Sequence, residues 1–272
     1  MKVNYDTTKS NHPLCELKNV VKIYQSGEIV RPVDGVSLRC EAGDFIVIEG
    51  PSGTGKSTLL YLVGGLLQAD SGEIWVDGTN LGTISEHDLT ILRAARIGFI
   101  FQETSLFQAL TVGENLAFGL RISNKYKKPK LDKAGINEKV KVYLEKLGIE
   151  DRRDFLPNQL SVGQKRRLMI ARALITEPLL VLADEPTNDL DDFWAREVIE
   201  LLQSVTARGG CMIMVTHDLL RAETAKYRYT MNNGILTSKA PCPKGTKDNE
   251  KYPKGEKERF LASQKRKKGQ NK

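Results

Sequence analysis

No apolar stretch in the 272 residues approaches the roughly 20 that a membrane-spanning helix requires. The longest candidate, 59–67, is interrupted by Gly64 and Gly65 and reads as a buried helix. Cysteine is equally scarce. Cys15, Cys40, Cys211 and Cys242 form neither a CxxC pair nor any metal-like spacing, and the first three sit in strand-like runs, where reduced core thiols are expected. Residues 1–11 are polar and lack the apolar segment of a secretory signal, so the expected compartment is the cytoplasm. An excess of either charge is also missing from most of the chain. The net charge is +7, but residues 239–272 hold 12 Lys and Arg against 4 Asp and Glu, a surplus of eight that leaves 1–238 at −1. A near-neutral body argues against nucleic acid as its partner. The basic tail, rich in Lys, Pro and Gly, reads as a disordered solvated extension, with attraction to anionic lipid headgroups or RNA as the sharper alternative. No internal repeat is evident.

What the chain does have is Gly50-Pro51-Ser52-Gly53-Thr54-Gly55-Lys56-Ser57, placed between an apolar run at 45–48 and Thr58 with an apolar helix behind it. Strand, glycine-rich loop and helix in that order are the context of a phosphate-binding loop. Gly50, Gly53 and Gly55 allow the backbone to wrap a phosphate chain with its N–H groups turned inward. The helix that follows adds its free N–H groups and positive dipole end. Lys56 supplies a point charge for the outer phosphates, and the Ser57 hydroxyl is placed to ligate Mg²⁺. The expected ligand is a nucleoside triphosphate.

Strands are expected at 14–24, 36–40 and 45–49, then at 73–77 before an Asp77-Gly78 turn, and at 97–101. Ser85 with Asp88 reads as a helix start. From about 103 to 160 the pattern becomes helical, with a capping box at Thr111–Glu114 and a helix over 138–147 stopped by Gly148. Lys125, Lys127, Lys128 and Lys130 lie between those helices and read as a solvated loop. A helix follows Ser161 and stops before Pro178, then come a strand at 179–183, a helix capped by Asp191-Asp192, a strand at 211–215, and a hairpin of 227–231 and 235–238. The fold class is α/β: a mostly parallel core, an antiparallel β piece in front and a helical insertion. The expected organisation is a polar segment 1–13, one domain over 14–238 with its helical part at about 103–165, and the tail 239–272.

The strand at 179–183 runs into Asp184 and Glu185. Acids at the C-terminal end of a central strand lie beside the phosphate loop, where open α/β sheets bind ligands. Asp184 is placed to hold Mg²⁺ through water, and Glu185 to polarise an attacking water.

With these residues in hand the sequence resembles the ATP-binding cassette (ABC) ATPases over about 14–238. Leu160-Ser161-Val162-Gly163-Gln164, followed by Lys165-Arg166-Arg167, is similar to the family signature, with Val162 in place of a glycine. Gln102 matches the Q-loop glutamine, Asn188-Asp189-Leu190-Asp191 the D-loop, His217 the switch histidine, and Tyr24 the aromatic residue that stacks on adenine. Asn188-Asp189 departs from the small residues that many cassettes carry there. The resemblance implies a phosphate-binding-loop core of the ABC type that binds ATP and Mg²⁺, with Thr58 beside the phosphates and Ser57, Gln102 and Asp184 at the metal. Glu185 would be the general base. His217 would hold the γ-phosphate and the attacking water, and Gln102 would report nucleotide state. Two cassettes would close head to tail, the signature of one meeting the ATP of the other.

Finer similarity, in Gly64-Gly65-Leu66, the run 97–102 and Leu110–Asn115, is to the macrolide-exporter and lipoprotein-release group. That implies a peripheral protein on the cytoplasmic face of a membrane, paired with a permease on another chain. Leu106 and Phe107 are expected to anchor a short helix of that permease. The alternatives are a signalling cassette and a cassette acting on nucleic acid or ribosomes.

Overall fold

The computed structural model describes residues 12–217 and 225–238; the expectations for the tail and for Cys242 lie outside them. Strands β1 (Cys15–Ser26), β2 (Glu28–Cys40) and β3 (Phe45–Glu49) come first, then helix α1 (Lys56–Val63). Next are β4 (Ser71–Val76), β5 (Thr79–Asn80), α2 (Glu86–Arg96) and β6 (Ile97–Ile100). Helices α3 (Val112–Asn124), α4 (Lys133–Lys146) and α5 (Val162–Leu174) precede β7 (Leu180–Asp184). The described chain closes with α6 (Asp192–Ala207), β8 (Cys211–Val215), β9 (Tyr227–Asn232) and β10 (Ile235–Ser238).

Two sheets form. An antiparallel one has the order β2-β1-β4-β5, and a second runs β10-β9-β3-β8-β7-β6, parallel from β9 to β6. β3, β7 and β8 are buried along their whole length, as strands covered on both faces must be. Successive side chains of a strand leave on opposite faces, so each strand feeds two cores. Ile46, Ile48, Leu180 and Leu182 pack with α1 and the antiparallel sheet, while Val47, Val181 and Ala183 pack with α3, α4, α5 and α6. β2 begins at Glu28, well before the expected 36, although Pro32 and a left-handed Gly35 (φ 68) read as breakers. It is an edge strand, where a missing N–H costs no ladder bond.

Cys15 pairs in register with Cys40 across β1 and β2, and Cys211, at the start of β8, hydrogen-bonds Cys40. All three thiols are free and buried, and burial raises the Cys15 thiol well above its ordinary range. They sit on the seam where the two sheets meet.

Caps set the helix starts. Ser85, Thr111, Asp132, Ser161 and Asp191 each accept a backbone N–H three residues on, and Thr111 and Ser161 complete reciprocal capping boxes. Two expectations fail in the helical segment. Lys127 is not solvated: its ammonium donates to the carbonyls of Thr176 and Glu177 beyond α5, and burial lowers its pKa to about 8. Leu106 is not a surface anchor: it is 8 % exposed and belongs to the core under α3. The cause is Asn115, fully buried, whose amide accepts from the Phe107 N–H and donates to the carbonyls of Phe107, Leu110 and Thr111. That clasp curls the turn and drives Leu106 inward. Phe107 stays 45 % exposed, edge-on to exposed Phe118 with ring centroids 5.0 Å apart.

Candidate active site at the C-terminal edge of the parallel sheet

Register brings the site together. Val215 is opposite both Ile48 and Asp184, and Ile100 is opposite Ala183. The strands therefore end level, and the segments at 50–57, 102, 184–185 and 216–217 all leave from one edge, where such sheets take ligands.

The phosphate loop depends on its glycines for two reasons. Gly50 (φ 150), Gly53 (φ 79) and Gly55 (φ 100) adopt left-handed backbone, which glycine tolerates at little cost. A Cβ at Gly50 would lie 2.2 Å from the Met231 carbonyl oxygen, and one at Gly55 only 1.7 Å from that of Pro32. The loop is thus pressed against β9 on one side and β2 on the other. Gly55 is the N-cap of α1 and offers no side chain, and the first turn contains no acid, so the leading N–H groups are left for an anion. Thr54 Oγ1 donates to the Pro51 carbonyl at 2.9 Å. Lys56 Nζ folds over the loop onto the carbonyls of Gly50 (2.8 Å) and Pro51 (2.7 Å). Burial lowers the Lys56 pKa, while Glu185 and Asp184 work against that shift.

Asp184 is buried, and burial raises its pKa against a hydrogen bond from Ser57. Its Oδ2 has no hydrogen-bond partner among the described residues. An orphaned carboxylate oxygen beside a hydroxyl is a donor set suited to a hard divalent cation that keeps water and phosphate as its other ligands. Gln102 is exposed on the same edge, its side chain open to solvent.

Glu185 follows with φ 48, and its N–H donates to the Val215 carbonyl at 3.0 Å. Its carboxylate accepts from Thr216 Oγ1 at 3.1 Å and from the His217 N–H at 3.1 Å, with His217 Nδ1 at 2.7 Å. The carboxylate and the imidazole thus form one unit at the end of two adjacent strands. Tyr24 is exposed on β1, with Lys22 Nζ 5.6 Å from its ring centroid.

The signature segment serves its own helix first. Ser161 caps α5 and donates its N–H to Gln164 Oε1 at 2.9 Å, Leu160 is buried, and Val162 is 60 % exposed. Gly163 approaches the Asp189 carbonyl, which a Cβ would meet at 3.1 Å. The Asn188 N–H donates to the Glu185 carbonyl at 3.2 Å and the Leu190 N–H to that of Thr187 at 3.3 Å, so 188–190 continue the turn that Glu185 begins; Asp191 caps α6.

Sequence reasoning missed Arg166. It is buried in α5 and donates to the carbonyls of Phe101 (2.9 Å) and Gln102 (2.8 Å), with Asp189 at 3.4 Å. The signal was two adjacent arginines inside a stretch otherwise suited to burial. Arg167, the second, stacks its guanidinium 3.8 Å from the Trp194 ring centroid, and burial lowers its pKa to about 10.

A family model described as "ABC transporter" matches residues 33–188. The chain is 38 % identical over 232 residues to the macrolide export ATP-binding/permease protein MacB of Hyphomonas neptunium, covering 83 % of this chain and 34 % of that protein. It is 37 % identical over 226 residues to the lipoprotein-releasing system ATP-binding protein LolD of Saccharophagus degradans, covering 82 % of this chain and 96 % of that one. It therefore spans about a third of the MacB relatives and nearly all of LolD. Among solved structures, the dimeric post-hydrolysis state of the ATP-binding cassette MJ0796 bound to ADP and Pi superposes with a TM-score of 0.77 at 32 % identity, over 82 % of this chain and 98 % of that one. Family model, relatives and solved cassette agree with one another and with the chemistry of the sheet edge: the chain belongs to the ABC transporter family, as one of its ATP-binding cassettes.

Proposed function

We propose that this cassette hydrolyses ATP within a head-to-tail pair and that closure of the pair works a membrane permease carried on another chain. The observation that carries the reading is the Glu185 carboxylate, held by Thr216 and His217 beside the orphaned oxygen of Asp184 and level with the phosphate loop. The relatives add support, because one is named for a permease-linked export protein and another for a lipoprotein-releasing system, and the solved cassette is a dimer.

In this reading Lys56, with the N–H groups of 50–58, binds the phosphates, and Tyr24 stacks on the base. Glu185 takes a proton from the attacking water, while His217 holds that water against the γ-phosphate. Ser57, Gln102 and Asp184 would hold Mg²⁺, which when bound neutralises charge on the phosphates. Leu160–Gln164 of one chain would face the nucleotide of the other, with Ser161 and the amide end of α5 toward the phosphate. Asn188–Asp191 would carry the state of one site to its twin. The permease would dock on the exposed Phe107–Phe118 pair rather than on Leu106. The location that follows is peripheral, at the cytoplasmic face. Among the described residues no helix is long and apolar enough to cross a membrane.

Subunit mixing tests the shared site. Lys56→Ala disables the phosphate loop, and Ser161→Arg disables the face offered to the partner. Each alone should be inactive, and an equal mixture should regain about a quarter of wild-type hydrolysis, since half the dimers hold one intact site of two. A mixture no better than the separate variants would place both defects in the same site.

A further inference from the structure

Arg166 is a poor device for stability. Its guanidinium is buried, its nearest carboxylate belongs to Asp189, which is half exposed and 3.4 Å away, and its Nε has no hydrogen-bond partner among the described residues. A cation held this deep against neutral carbonyls gains little for its desolvation. What it does is join three segments. Nη1 donates to the carbonyl of Phe101 and Nη2 to that of Gln102, just past the end of β6. Nη2 also faces Asp189, in the turn that continues from Glu185, so Gln102 and Asp189 meet at one nitrogen. The side chain itself rises from α5, one turn after the Ser161 cap. Asp184 also feels its charge, which helps to lower the pKa that burial raises.

We propose that Arg166 is a positioning residue that ties Gln102 to Asp189, so that the metal-facing glutamine and the partner-facing turn move together and set the rate of the step after ATP binds. The inference rests on the ATP-hydrolysing, paired reading above. The planar fork suits the task because its donors are spread over separate nitrogens in a rigid plane, whereas an ammonium gathers its three donors on one atom at the end of a flexible stem.

The test compares full-length wild type, Arg166→Gln, Arg166→Lys, Asp189→Asn and the double variant Arg166→Gln/Asp189→Asn, by steady-state hydrolysis, equilibrium ATP binding and thermal unfolding. Loss of a charge-assisted contact should lower kcat about tenfold in Arg166→Gln and in Asp189→Asn, with KM and ATP affinity within about twofold of wild type. The double variant should be no slower than the worse single one, as expected for two groups acting through one link. Arg166→Lys should not rescue. Single variants with kcat within about twofold of wild type, or losses that multiply in the double variant, overturn the proposal. Should Arg166→Gln fail to fold, Asp189→Asn still decides, because its side chain is exposed and it alters only one of the three contacts. A wild-type chain that hydrolyses no ATP would instead bring down the functional reading itself.

Discussion

Glu185 occupies left-handed backbone, a conformation that costs a non-glycine residue on the order of 1 kcal/mol or more and persists only where its surroundings enforce it. Here the Val215 carbonyl holds its N–H, while Thr216 and His217 hold its carboxylate. The residue is thus aimed before any substrate arrives. Glu185→Gln keeps the shape and most of the contacts but removes the basicity, so ATP should still bind and paired chains should accumulate. Turnover should fall by about 10²–10⁴, the usual contribution of a positioned base. Steady-state hydrolysis near the wild-type level, measured by phosphate release, would move the general base to another residue.

At the scale of elements, the loop between α3 and α4 is fastened to the end of α5 by the Lys127 amine. Its folded-state pKa of about 8 lies below the ordinary 10.5, so the folded chain binds this proton less tightly than the unfolded one. The cost of burying the charge is complete below about pH 8 and recedes as pH rises toward 10.5. Unfolding of wild type and Lys127→Met, followed in parallel at about pH 7 and about pH 9.5, should show the wild type gaining on the variant at the higher pH. A difference that ignores pH would show the amine to be equally protonated in both states.

That fastening also shows what local reading can and cannot reach. Ser85, Thr111, Ser161 and Asp191 were legible as helix starts because a cap bonds only three residues along. The phosphate loop and the acids at the end of β7 were legible for the same reason, each being a short run at the end of a regular element. Lys127 and Arg166 were not, because their carbonyl acceptors lie 49 and 64 residues away in sequence. Leu106 was misplaced because Asn115, inside α3, decides the turn that precedes that helix. β2 was cut short because Pro32 and Gly35 break a strand by every local rule, and only its position at the edge of a sheet excuses them.

At the scale of the molecule, the two sheets are interlocked through the glycines of the phosphate loop. The Pro32 carbonyl of the antiparallel sheet fills the space that a Gly55 side chain would take, and the Met231 carbonyl of β9 does the same at Gly50. Nucleotide held by that loop therefore binds to a surface that exists only while the sheets are together. The three thiols on the seam make this measurable. Cys15 and Cys40 belong to one sheet and Cys211 to the other, all sealed from water, so an alkylating reagent reaches them only when the seam parts. In a Cys242→Ser chain, the labelling rate under native conditions becomes a count of opening events. ATP at about a hundred times its dissociation constant should slow that rate about a hundredfold, since the opened form has lost its site. Labelling indifferent to ATP would mean that the sheets separate without disturbing the loop. Alkylation kinetics can thus report nucleotide occupancy in this chain with no label on the nucleotide.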